Sequence, residues 1–187
     1  MVALLPIATA AAQSKDPQGD ITRGKALAAS CVACHAPGAP LPLTPSLDGQ
    51  QEAFLLLQLI LLREGLRDVP VMAGTLKGLK DQDLADLAAY FNAQPPRAPA
   101  VKRDEERRAR GAALSRKLGC GSCHMSGYVG QRQVPRLTDQ REDYLAASLK
   151  AYRDDKRSGI DTSMNAAMYK VSDADIDALA HYLATQP

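Results

Sequence analysis

Apolar and polar positions along this chain alternate mostly at helical spacing. Leu84, Leu87, Ala88 and Phe91 recur at i, i+3, i+4 and i+7, and Ile176, Leu179, Ala180 and Leu183 repeat the stripe near the C-terminus. Such one-sided stripes predict helices laid on a core. Ser172 with Asp175 forms a capping box at the start of the second stripe. Tyr144, Leu145, Leu149 and Tyr152 mark another helix, and its counterpart in the first half is the apolar run Phe54 to Leu62. That run is too short to span a bilayer, is bounded by Gln50-Gln51-Glu52 and Arg63-Glu64, and predicts a buried helix. No stretch alternates convincingly at period two, so the expected class is all-α.

The pattern is written twice. The first half holds CVACH (31–35), PSLDGQ (45–50), Met72 and LKDQDLADLAAYF (79–91); the second holds CGSCH (120–124), PRLTDQ (135–140), Met164 and VSDADIDALAHYL (171–183). Matching residues lie 89 apart at the cysteines, 90 at the prolines and 92 at the methionines and last helix. An internal repeat of this size predicts two tandem units of one fold. Between them, Pro95, Pro96 and Pro99 exclude a helix interior and predict a fairly stiff extended linker. The expected organisation is an N-terminal segment 1–19, a first domain 20–94, a linker 95–101 and a second domain 102–187. Within the first segment, Val2 to Ala12 is short, apolar and rich in small residues, and Ala8-Thr9-Ala10 fits an export-signal cleavage pattern. No Lys or Arg precedes the run, so an irregular N-terminal tail is the alternative.

Composition sharpens this picture. There is no Trp and only two Phe in 187 residues, so the core must come mostly from small aliphatic side chains. Units of about 80 residues with such cores need a staple or a bulky apolar group inside. The overall charge of +2 carries no nucleic-acid footprint. Charge is uneven, however: residues 1–96 carry net −2 and 97–187 net +4. The run Lys102 to Arg110 suits an exposed first helix of the second unit.

The bulky group is named by the cysteines. In C-x-x-C-H, two thiols add to the haem vinyl groups and the adjacent His becomes an axial iron ligand. Cys31, Cys34 and His35 would hold one haem, and Cys120, Cys123 and His124 a second. A thioredoxin-like motif needs a βαβ context that this pattern lacks. A four-cysteine zinc site leaves both adjacent histidines unexplained, and C-x-x-C disulfides close loops too short to restrain much. All four cysteines belong to the two motifs.

The duplicated arrangement resembles the di-haem cytochrome c4 family, tandem class I cytochrome c domains, from about residue 20 to the C-terminus. The resemblance implies two covalent haem c groups and electron transfer between redox protein partners. It further implies an exported, periplasmic protein, soluble or loosely membrane-associated, that donates towards a terminal oxidase in a respiratory chain. The alternative is the di-haem cytochrome subunit of a flavoprotein or other dehydrogenase. A di-haem peroxidase would need an open sixth position on one iron. The resemblance also places the distal ligand before the last helix of each domain, at Met72 and Met164, each nine residues ahead of Asp81 and Asp173. Met168 is a rival for Met164 that the repeat register disfavours, and Met125, adjacent to His124, cannot reach the opposite face of the same haem. In class I domains a proline at the position of Pro45 and Pro135 offers its carbonyl to the haem-ligand imidazole. His181 is expected to be a solvated residue of the last helix.

Overall fold

The computed structural model describes residues 17–36, 39, 41–97, 101–158 and 161–186. The apolar segment Val2 to Ala12 and residues 98–100 of the proline-rich stretch lie outside these. Among the described residues the chain forms helices α1 (Ile21–Leu27), α2 (Val32–His35), α3 (Glu52–Arg63), α4 (Asp81–Ala93), α5 (Glu105–Lys117), α6 (Cys120–His124), α7 (Glu142–Arg153), α8 (Ser163–Met168) and α9 (Asp173–Ala184). The only strand pairing there is a single bridge between Gln131 and Val134. Among the described residues no helix is long and apolar enough to cross a membrane.

In each half the last helix is the core. The predicted stripe residues of α4 and α9 are all buried, and so are Ala85, Asp86 and Ala89 on α4 and Ala178 and Ala184 on α9. The buried face is wider than one stripe because each of these helices is gripped from two sides. Helices α1 and α3 pack against α4, and α5 and α7 pack against α9. One grip is made by glycine. A Cβ on Gly24 of α1 would lie 2.0 Å from the Asp86 carbonyl oxygen, and one on Gly111 of α5 would lie 2.2 Å from that of Ala178. Only a residue without a side chain lets the two backbones approach so closely.

The first helices are also capped alike, with an instructive difference. Asp20 caps α1 and Asp104 caps α5, each accepting backbone N–H groups of the first turn. Each cap residue's own N–H is then met by a buried polar side chain of the last helix. Asp20 N–H donates to Asp86 Oδ1 (2.7 Å), and Asp104 N–H donates to His181 Nε2 (2.9 Å). Helix α5 begins one turn earlier, relative to its crossing glycine, than α1 does, so it meets α9 one turn further along.

The offset accounts for the first of two departures from the sequence reading. His181 is not solvated: it is 1% exposed, and its Nδ1–H donates to Glu142 Oε2 of α7 at 2.9 Å. Helix α3 is not fully buried either. Only Leu55 and Gln58 are inside. Leu56 and Leu59 pack at the edge of the α4 core, while Leu61 faces a cleft shared with the second half. A run apolar on nearly every side reads as buried all round, yet here it serves two partly covered surfaces.

Candidate functional site

The two C-x-x-C-H motifs form helices α2 and α6, each a single short helix whose last residue is the histidine. None of the four cysteines pairs in a disulfide. Among the described residues no three His, Cys, Asp or Glu side chains converge as a bare-ion site. The four thiols therefore serve two separate places.

Both histidines are fixed in the same way. His35 Nδ1–H donates to the Pro45 carbonyl at 2.9 Å, and His124 Nδ1–H donates to the Pro135 carbonyl at 2.9 Å. A carbonyl can only accept, so the proton sits on Nδ1 and the Nε2 lone pair is left for a metal. Burial pushes both imidazoles below the ordinary histidine pKa, against the opposing pull of the proline carbonyls. Burial thus disfavours the charged form of each ring, and the proline carbonyl fixes its orientation with the proton on Nδ1, the arrangement an axial iron ligand needs.

The methionines are placed unequally. Met72 ends a 3₁₀ turn (Pro70–Met72) and is half-buried beside exposed Val71. Met164 lies on α8 and is half-buried at the edge of the Leu149, Ile176 and Leu179 cluster. Met168 is 2% exposed inside that cluster, filling the core. Met125, at 40% exposure, is not part of that cluster, and its backbone has a positive φ.

The halves meet through repeat-related residues that the sequence reading did not single out. Arg67 and Arg157, 90 residues apart, both reach the Tyr144 hydroxyl, at 3.3 and 3.4 Å. They also donate to a second repeat-related pair, Gln58 (2.7 Å) and Ser148 (2.9 Å). Burial would raise the Tyr144 pKa, but the guanidinium groups of Arg157 and Arg67 together bring it down to about 7. Arg67, Tyr144, Ser148 and Arg157 line a cleft of about 300 Å³ between the halves, with Leu43, Leu61 and Lys156. Arg136 Nε and Arg157 Nε are buried N–H donors without an acceptor. In each half a pair of thiols stands on the short helix that ends in an oriented imidazole, the donor set that covalent attachment of a haem requires. The arginine pairing was visible in the sequence only as two like residues kept in register, Arg67 and Arg157.

The family model for cytochrome c matches residues 108–187. Cytochrome c4 of Pseudomonas aeruginosa is 36% identical over 176 residues, covering 88% of each chain. The thiosulfate dehydrogenase electron acceptor of Thiomonas intermedia is 34% identical over 173 residues, covering 86% of this chain and 80% of the relative. Among solved structures, reduced recombinant cytochrome c4 from Pseudomonas stutzeri superposes with a TM-score of 0.80 at 35% identity. It covers 90% of this chain and 100% of that one.

Proposed function

The chain belongs to the cytochrome c4 family of di-haem electron-transfer cytochromes, and on that premise we propose how its own residues perform the task. Two haem c groups are covalently bound, and when bound they supply the one-electron iron chemistry. Cys31 and Cys34 hold the first and Cys120 and Cys123 the second. His35 and His124 are the proximal ligands and Met72 and Met164 the distal ones, with Pro45 and Pro135 orienting the imidazoles. Residues 20–94 and 102–187 are the two haem domains, joined by the linker 95–101. The observation that carries this reading is the paired Nδ1–H to proline carbonyl bond, 2.9 Å in both halves, on histidines that each close a C-x-x-C-H helix.

The protein accepts an electron from one redox protein at one domain and delivers it to another from the other domain, towards a terminal oxidase. No substrate is transformed. The opposed charges of the halves, −2 and +4, favour partners of opposite sign at the two ends and speed encounter more than they tighten binding. Export to the periplasm is supported by the apolar, small-residue N-terminus.

The test is the optical spectrum of dithionite-reduced protein before and after carbon monoxide. An unchanged spectrum supports two closed irons and a carrier. A shift at one haem overturns the distal assignment and makes the protein an enzyme or sensor. A second reading is favoured by the 34% identical thiosulfate dehydrogenase electron acceptor: the electron donor is a dehydrogenase that binds this chain. Rapid reduction by such an enzyme, with co-elution of the two, would support it.

A further inference from the structure

Each haem-ligand histidine is tied, through one peptide group, to a glutamine of the opposite half. The peptide linking Pro45 to Ser46 presents its carbonyl to His35 Nδ1–H at 2.9 Å and its N–H to Gln140 Oε1 at 2.8 Å. The same glutamine's Nε2 donates to the Ser46 carbonyl at 2.9 Å, so Ser46 is bracketed on both backbone groups. The peptide linking Pro135 to Arg136 repeats the arrangement. Its carbonyl accepts from His124 Nδ1–H at 2.9 Å, its N–H donates to Gln50 Oε1 at 2.7 Å, and Gln50 Nε2 donates to the Arg136 carbonyl at 2.9 Å.

Gln50 and Gln140 occupy the same repeat position, 90 residues apart, and are 6% and 5% exposed. Each amide is also held from behind, its Oε1 accepting the N–H of the following residue, Gln51 (2.9 Å) or Arg141 (3.0 Å). The clasp is therefore reciprocal, buried and rigid.

We propose that Gln140 and Gln50 are positioning residues for electron transfer, each tuning the haem of the other half through the peptide that its own histidine ligand leans on. A peptide whose N–H is hydrogen-bonded carries more negative charge on its oxygen, because the amide polarises along its length. That oxygen is a better acceptor for the imidazole Nδ1–H. The imidazole becomes a more electron-rich ligand, and the ferric state is favoured. Gln140 thus lowers the potential of the haem on Cys31 and Cys34, and Gln50 that of the haem on Cys120 and Cys123. Tuning crosses the interface, so the potential of each haem reports whether the two halves are docked.

The proposal rests on His35 and His124 being the iron ligands, as read above. The experiment uses the full holoprotein labelled with ¹⁵N-histidine, which has three histidines in all, and follows a redox titration by NMR. In wild type, two ring signals must show hyperfine shifts on oxidation; their absence would refute the ligand reading and not the clasp. Gln140→Leu is expected to shift the His35 Nδ1–H resonance and raise the midpoint of its haem, leaving the His124 haem unchanged. Gln50→Leu gives the mirror result. Gln140→Glu keeps an oxygen for the Ser46 N–H but replaces the Nε2 donor to the Ser46 carbonyl with an acceptor; it is expected to lower the same midpoint and to shift the His35 Nδ1–H resonance with it, a joint change that neither lost docking nor added charge alone would produce. A shift confined to the substituted residue's own haem, equal shifts at both haems, or no shift in either Gln140 variant overturns the proposal.

Discussion

Replacing Gly24 by alanine should cost more stability than adding one methyl group to a small domain ordinarily does. The added Cβ would sit 2.0 Å from the Asp86 oxygen, 2.6 Å from its carbonyl carbon and 2.8 Å from Tyr90 Cβ. Two of these three atoms are backbone of α4, the helix at the centre of the domain, and cannot rotate aside. Restoring an ordinary contact of 3.4 Å requires α1 to move off α4 by about 1.4 Å. That separation also loosens the Asp20 N–H bond to Asp86, since both partners ride on the same two helices. Overpacking of this kind costs about 3 kcal/mol. Alanine's better helix propensity returns about 1 kcal/mol. The net loss of about 2 kcal/mol lowers the melting temperature of a domain this size by about 8–16 °C. Thermal unfolding of the holoprotein followed at 222 nm measures it. Gly121→Ala is the matched control: a Cβ there meets nothing within 4 Å, and the equivalent residue of the first motif is Val32. A Gly24→Ala protein melting within about 4 °C of the Gly121→Ala protein, on the scale of 1 kcal/mol, would refute the close-approach reasoning.

Gly111→Ala should behave like Gly24→Ala, with the loss confined to the second unfolding unit if calorimetry resolves two. Asp86→Asn is expected to destabilise by about 2 kcal/mol at neutral pH, because a buried carboxylate loses its charge-assisted bonds to Asp20 N–H, Gln82 and the half-exposed Arg23. Burial raises the Asp86 pKa, but those donors outweigh it and hold the pKa below the ordinary aspartate value. The wild-type advantage is therefore full above about pH 4 and must shrink as pH falls through the lower folded pKa, which paired melts from pH 7 to 3 will show. His181→Phe removes the donor to Glu142 Oε2, whose other oxygen keeps Arg107, and leaves the Asp104 N–H without an acceptor, and should cost about 1–3 kcal/mol in urea unfolding. Met72→Ala and Met164→Ala should each let carbon monoxide bind one haem of the two. Met168→Ala should admit none and instead destabilise by about 2–5 kcal/mol as a core truncation.

Most of the helical plan was legible because periodicity and repetition reinforce each other. The stripes of α4 and α9 are buried as their spacing predicts, and Ser172 caps α9 through the Asp175 N–H. Motif chemistry marked the cysteines and histidines, and the resemblance to class I domains marked Pro45 and Pro135, whose carbonyls the imidazoles meet. What stayed hidden depends on contacts between distant segments. A histidine among alanines and leucines on the last helix gives no sign that it must satisfy a backbone N–H 77 residues away. A run such as Phe54 to Leu62, apolar but for Gln58, cannot say which flank meets the core and which meets a neighbouring unit. Gln50 and Gln140 stood inside the quoted repeats, but a glutamine closing a turn reads as solvated until the opposite half covers it.

The pairing of Gln50 with Arg136 and of Gln140 with Ser46 has the form of an isologous contact, the same patch used twice about a two-fold axis. Two separate copies of one domain could make that contact, but every substitution would then fall on both copies at once. Carrying both copies in one chain removes that constraint. The seam can stay symmetrical while the outer faces drift independently, and they have done so: one half is acidic, the other basic, and the cap bond is made by an aspartate in one and a histidine in the other. Fusion here turned a symmetric pair into a polar object with a front and a back.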